Sequence, residues 1–259
     1  MTYETVTVDV DGHVGTVTLA RPERMNTFST DLARDLDDAL RSLDEDDGVR
    51  AIVVAGAGDA FSAGIDLTEH GEFETRAEYQ EWVGQMEEPF LTLREMETPV
   101  IAAAHGHAAA NGIGLVAACD LAVLAEGTKL GATAPKVGLF CMGPAVPLMR
   151  SLTQKRSLEL LLTGELVDAE TALEWGLVNR VVPRDDLRSE ARALAESIAE
   201  KSPVAVQMGK QAYYAMEDME FEAALDYSNE QFAALCTTDD AAEGIDAFLS
   251  GRDPEWPGE

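Results

Sequence analysis

The chain has 259 residues, 46% of them hydrophobic, enough for one large core or for one domain with a small appendage. Its 48 acidic residues against 19 basic ones give a formal net charge of −29, which makes nucleic acid and anionic membranes poor partners. No run approaches the roughly 20 apolar residues of a spanning helix, and the opening MTYETVTVDVDG has neither the basic nor the apolar stretch of a secretory signal, so a cytoplasmic location is expected.

The chain opens on a predicted hairpin, Thr5 to Val10 and Val14 to Leu19 around a turn at Asp11-Gly12. After the loop to Ser29-Thr30, apolar residues at 32, 36, 39, 40 and 43 recur at helical spacing, and Val49 to Ala55 then reads as a short buried strand. A second round follows. Trp82, Met86, Phe90 and Leu93 mark a helix within Glu78 to Met96, Pro99 to Ala104 a strand, Gly112 to Ala118 a helix and Leu121 to Ala125 a strand. This alternation predicts an α/β domain with mostly parallel pairing. From Thr153 onward the segments 158–162, 169–175, 187–200, 204–216, 221–235 and 241–249 all carry helical patterns, so a helical C-terminal third is expected. No low-complexity linker separates the parts, and they are expected to pack closely.

The acids are scattered in short clusters, such as Asp35, Asp37 and Asp38, and only five of the basic residues are lysine. Self-repulsion among them is severe at low ionic strength, whereas in molar salt the Debye length falls to roughly 3 Å; the pattern suggests a halophilic source. Cys119, Cys141 and Cys236 lie outside any C-x-x-C pattern and read as reduced thiols rather than a disulfide framework or zinc ribbon. His105-Gly106-His107 is a faint metal signature better explained by packing, so no metal site is expected.

The glycine-rich stretch AGAGDAFSAG follows a strand, but Phe61 stands where a dinucleotide fingerprint needs its third glycine. A phosphate loop and a Gly-x-Ser-x-Gly elbow are also absent. The remaining readings are a tight structural turn, or a loop whose small residues let backbone N–H groups face a ligand.

Phe61-Ser62-Ala63-Gly64-Ile65-Asp66-Leu67 resembles a signature of the enoyl-CoA hydratase/isomerase (crotonase) family, F-[SA]-A-G-x-D-[LI]. Four further stretches resemble that family in order and spacing: RPERMNTFS at 21–29, TPVIAAAHGHAAANGIGLVAACDLAV at 98–123, LLLTGELVDAETALEWGLVNRVVP at 160–183 and DAAEGIDAFLSGRDPEW at 240–256. The resemblance implies a crotonase-like spiral of strand-strand-helix repeats over residues 1–195, holding an acyl-CoA pocket. It also implies a helical part, 196–259, that packs on the core and mediates trimer or hexamer formation. The substrate would be an acyl-CoA thioester, with coenzyme A arriving as part of it and no tightly bound cofactor.

The implied chemistry is an enolate held by the backbone N–H groups of Ile65 and Asn111, with Met25, Ala63, Gly64, Asp66, Leu67 and Gly112 as substrate-binding positions. An aspartate in such a loop more often bonds neighbouring backbone than reacts, so a structural role is favoured for Asp66. Arg24 and Arg252 are candidate cations for coenzyme A's negative charge, with surface salt bridging the alternative for both.

Classical hydratases of the family supply two glutamates as acid and base. Aligning on Cys119-Asp120 puts Gly114 at the first position, and aligning on Gly131 and Gly138 puts Ala134 at the second, with Pro135 or Lys136 as neighbouring alternatives. Both glutamates are therefore missing. His70, His105, His107, Cys141 and the pair Glu87-Glu88 are the replacement candidates, and the reaction could be isomerisation, a retro-Claisen or decarboxylation step, thioester hydrolysis or slow hydration. A non-catalytic acyl-CoA binder is the competing expectation.

Overall fold

A computed structural model of the chain describes residues 2–258. The predicted hairpin is present as β1 (Val6–Asp11) and β2 (Val14–Leu19), antiparallel, with Gly12 at φ 63° in the turn, a conformation only glycine adopts at little cost. Helix α1 (Thr30–Asp44) starts where the Ser29 side chain accepts the Leu32 N–H, and it buries Leu32, Leu36, Ala39, Leu40 and Leu43. Strand β3 (Ala51–Gly56) is buried throughout, as the apolar run predicts. Helix α2 (Arg76–Glu95) begins at a reciprocal Thr75/Glu78 capping box and is followed by β4 (Val100–Ala104).

Beyond β4 come β5 (His107–Ala109), α3 (Asn111–Ala118), β6 (Leu121–Ala125) and β7 (Lys129–Gly131). Next are α4 (Met142–Ser151), α5 (Gln154–Thr163), β8 (Val167–Asp168), α6 (Ala169–Glu174), β9 (Arg180–Val182) and α7 (Leu187–Ala199). The chain ends in α8 (Pro203–Met216), α9 (Phe221–Leu235) and α10 (Asp239–Ser250).

The main sheet runs β1-β2-β3-β4-β6-β9, parallel except for the opening hairpin, and β5-β7-β8 form a second, three-stranded sheet. Strand alternation sorts the core into two faces. Ile52, Val54, Val100, Ala102 and Ala104 point into the larger cluster with α1, α2 and α3. Ala51, Val53, Ala55, Ile101, Ala103 and Val123 face α7, which answers with Leu187, Ala191, Ala195 and Ala199 at four-residue spacing. Residue 195, the expected division of the chain, lies inside this helix.

Two short strands that the helical patterns after Thr153 do not announce lie between the expected helices. Strand β9 returns to pair with β6, and β8 pairs with β7. Segments of three and two residues are too short to show a period of 2, and pairing with longer partners holds them extended.

Helix α8 is fastened to the core through Asp120. That carboxylate accepts the Val100 N–H at 2.7 Å and the Tyr214 hydroxyl at 2.7 Å, and pairs with Lys210 Nζ at 3.0 Å. Among the described residues no helix is long and apolar enough to cross a membrane.

Candidate functional site

The site lies beyond the C-terminal ends of the parallel strands, where open α/β sheets place their ligands. The chain leaves β3 into the loop that carries Ile65, and leaves β4 through Gly106 and β5 into α3, whose first residue is Asn111. These two excursions are clipped together by main-chain hydrogen bonds: Phe61 N–H to His105 O (2.9 Å), Ser62 N–H to His107 O (3.1 Å) and Ala109 N–H to Ser62 O (2.9 Å). A third segment joins them, since the Phe28 N–H donates to Gly64 O and the Asp66 N–H to Phe28 O, both at 2.7 Å.

Glycines allow this closeness. A Cβ on Gly64, whose φ is 100°, would lie 2.6 Å from Ala110 Cβ, and one on Gly112 would lie 2.4 Å from Ser62 O. Ala110 itself sits at φ 47°, ψ −113°, a strained conformation for any residue with a Cβ, and it aims the N-terminus of α3. No side chain caps that helix. Among the described residues, neither the Ile65 N–H nor the Asn111 N–H has an acceptor.

Ile65 and Asn111 line one cavity of about 220 Å³, together with Leu67, Ala134 and Ala110. Helix α2 supplies Tyr79, Trp82, Val83, Met86 and Glu87, and the start of α4 supplies Cys141, Met142, Gly143 and Pro144. Asn111 is 94% buried, its exposure being 6%, and its carboxamide has no hydrogen-bond partner among the described residues. The cavity thus combines apolar walls and a few polar side chains, the usual make-up of a small-molecule site, and two of its lining residues carry backbone N–H groups without an acceptor among the described residues.

Of the expected substrate-binding residues, Met25, Ala63, Gly64, Asp66 and Gly112 do not line this cavity. Asp66 accepts from Thr68 Oγ1 (2.7 Å), Thr68 N–H (3.2 Å), Arg21 Nη2 (3.2 Å) and Thr27 Oγ1 (3.2 Å). Burial alone would raise its pKa, but the bonds from Thr68, Arg21 and Thr27 outweigh that and lower it, so Asp66 stays ionised and braces the loop. Ala63 donates its N–H to Met25 O, and Met25 itself is exposed in a left-handed conformation.

Gly114 is absent from the cavity wall for a steric reason: a Cβ there would meet Phe90 Cζ at 2.9 Å and Pro144 Cβ at 3.0 Å. Ala134 does line the cavity, and brings only a methyl group. Arg252 is held by Glu243 (2.6 Å) and Asp246 (2.8 Å), which commits its charge, whereas the Arg24 side chain has no partner among the described residues.

The replacement acid/base candidates separate clearly. His105 is buried with Nε2 2.9 Å from Gly58 O, and burial lowers its pKa, while His107 is exposed; neither reaches the cavity. They also do not converge, and no His/Cys/Asp/Glu cluster suited to a metal occurs among the described residues. His70 lines the cavity with its ring 5.1 Å from that of Tyr79 and 6.1 Å from that of Trp82. Cys141 also lines it, its thiol pushed up by burial and so held as an unreactive neutral group. Glu88 points away and pairs with Arg41 at 3.5 Å. Glu87 remains in the wall, half-buried, with no ion pair or hydrogen bond among the described residues.

The chain is similar over nearly its whole length to several known proteins. The enoyl-CoA hydratase/isomerase family model matches residues 9–259. A protein of Mycobacterium tuberculosis described as a probable enoyl-CoA hydratase is 35% identical over 257 residues, 99% of each chain. A solved enoyl-CoA hydratase of Mycobacterium smegmatis superposes with a TM-score of 0.94 at 38% identity, over 98% of this chain and 99% of that one. Human enoyl-CoA hydratase domain-containing protein 3 superposes with a TM-score of 0.91 at 30% identity, over 98% and 100%. The architecture is therefore the crotonase fold.

Proposed function

The chain belongs to the enoyl-CoA hydratase/isomerase family, and from that premise we propose that it is an enzyme that stabilises the enolate of an acyl-CoA thioester between the Ile65 and Asn111 N–H groups. The observation that carries this reading is that Ile65 and Asn111, whose backbone N–H groups have no acceptor among the described residues, line one largely apolar cavity and sit in loops joined by a shared main-chain network. Preorganised donors stabilise charge where it develops, and one such donor typically contributes about 3 kcal/mol. The gain is larger where, as here, the walls are largely apolar.

Addition of water across a double bond calls for an acid and a base flanking the reacting carbons. Here Phe90 covers Gly114 and Ala134 is apolar, so a reaction that asks for a single proton carrier and no activated water, such as isomerisation, suits the cavity better than fast hydration. Met25, Ala63, Gly64, Asp66, Leu67 and Gly112 belong to the loops that would hold the thioester and its adenine end, and the uncommitted Arg24 would meet a phosphate. No tightly bound cofactor is required, because coenzyme A arrives with the substrate.

Exposed Phe221, Phe232, Ile245, Phe248 and Leu249 on α9 and α10 support a homo-oligomer, a trimer or a hexamer. The net charge of −29 supports a cytosol of high salt.

A panel of enoyl- and acyl-CoA thioesters, assayed for binding by calorimetry and for turnover in molar salt, tests the reading. Binding with turnover of at least one member is expected. Binding with no turnover would leave a non-catalytic acyl-CoA binder, a reading the missing glutamates also favour. Absence of binding would overturn both.

A further inference from the structure

The geometry points to Glu87 as the catalytic acid/base of this cavity, the residue that takes and returns the proton on the carbon next to the thioester carbonyl. This rests on the proposed enolate chemistry and adds a specific proton carrier to it.

Three observations converge on this residue. First, helix periodicity places it: Tyr79, Trp82, Val83, Met86 and Glu87 form one face of α2, and all line the cavity that Ile65 and Asn111 line. Second, Glu87 is the carboxylate in that wall, and no described residue neutralises or hydrogen-bonds it. A half-buried carboxylate without a partner is costly, and structural acids nearby show the usual remedy. Glu69, for example, accepts from Thr30 and from Trp82 Nε1. Third, room has been made for it. A Cβ on Gly143 would fall 2.0 Å from Glu87 Oε1, so the absence of a side chain at 143 is what lets the carboxylate lie at the start of α4.

Phe90, one turn further along α2, covers Gly114. The helix that closes off one approach to the reacting carbons therefore delivers a carboxyl group of its own. Burial raises the Glu87 pKa, bringing a carboxyl closer to the neutral range where proton transfer in both directions is efficient. The other titratable groups in the wall are His70, Tyr79 and Cys141. Glu87 also borders a larger cleft of about 620 Å³ on its far side, with Glu88, Arg94, Asp120, Arg150 and Glu217 in its lining, which gives a route for proton exchange with solvent.

In the step itself the C–H bond at the α-carbon breaks, its proton goes to a Glu87 oxygen and its electron pair moves through the carbonyl carbon onto oxygen. The Ile65 and Asn111 N–H groups receive that charge. Return of the same proton to the α-carbon regenerates the thioester, and with a 3-enoyl chain the proton can instead be taken at the α-carbon and delivered to the γ-carbon, moving the double bond. No oxidant or second substrate is needed.

The test is deuterium incorporation at the α-carbon of butyryl-CoA in D2O, followed by mass spectrometry, together with calorimetric binding of the same thioester. Wild-type protein is expected to bind and exchange. Glu87→Gln is expected to bind within about threefold of wild type and to exchange at least ~100-fold more slowly, the usual contribution of a positioned base. Glu87→Asp should recover part of the rate, and Gly143→Ala should lower it by displacing the carboxylate. If bound Glu87→Gln exchanges at the wild-type rate, or if wild type binds without exchanging, Glu87 is not the base although the thioester site stands. If wild type binds no thioester, the function proposed above fails. A melting temperature for Glu87→Gln at or above wild type excludes misfolding as the cause of lost exchange.

Discussion

Gly64 and Ala110 meet so closely that a methyl group on the glycine would lie 2.6 Å from the alanine Cβ. One residue precedes Ile65 and the other precedes Asn111, so the contact fixes the spacing of the two proposed enolate donors. Gly64→Ala is expected to cost about 1–3 kcal/mol, because it adds this overlap to a φ of 100° that disfavours a Cβ. Chemical denaturation would read the loss, and thioester affinity should fall even where the variant remains folded.

Asp66 makes a pH-dependent contribution whose sign is fixed by its lowered pKa. A carboxyl whose folded pKa lies below its unfolded value stabilises the native state above the unfolded value of about 3.9, and that stability is lost as pH falls through the folded value. Asp66→Asn should therefore be less stable than wild type at pH 7, by about 1–2 kcal/mol for the weakened bonds to Arg21 and Thr68. The gap should narrow below about pH 4, as measured by thermal melts across pH.

Gly114→Glu puts a carboxylate at one of the two positions where the family resemblance expects one, yet it is not expected to confer hydration. The ring of Phe90 stands 2.9 Å from where its Cβ must go. Overpacking of this kind costs about 1–3 kcal/mol. Crotonyl-CoA hydration, followed by loss of thioester-conjugate absorbance, should stay at background, and the melting temperature should drop.

Salt should act on the whole surface. With 29 excess negative charges, raising NaCl from 0.1 M to 1 M shortens the Debye length from about 10 Å to about 3 Å and relieves repulsion between carboxylates. A rise in melting temperature is expected across that range. A flat profile would count against a high-salt origin.

Assembly can be tested at α9 and α10. Phe232→Asp combined with Phe248→Asp puts charges at two exposed aromatic positions, 67% and 84% accessible in the single chain. If these faces join subunits, sedimentation should show a smaller particle than wild type.

Much of the scaffold was legible because its signals are long. The continuous apolar runs at 51–56 and 100–104 give buried parallel strands, and the spacing of Leu32, Leu36, Leu40 and Leu43 gives a helix with one buried face. Strands β5, β7 and β8, of two or three residues, carry no periodicity and form only because neighbouring segments pair with them. In the candidate site, Gly64 and Gly112, which let the two loops approach, were legible in the motif, and the motif proposes Ile65 and Asn111 as the donors. Glu87 could be named only as half of a pair with Glu88 among the acid/base candidates, since beside Glu88 it looks like part of a solvated helix surface. The signal that separates them is its position four residues after Val83 and eight after Tyr79, which turns it inward while Glu88 turns out.

The main-chain clip between residues 61–62 and 105–109 has an evolutionary consequence. Since Ile65 and Asn111 would act through peptide N–H groups, their placement depends on the path of the backbone and hardly at all on the side chains facing the cavity. Mutations can then add, delete or relocate acids and bases around a stationary pair of donors. A chain with glycine at 114, alanine at 134 and a carboxylate on α2 beside the cavity is an arrangement of that kind, so new reactions can arise by substitution without a new fold.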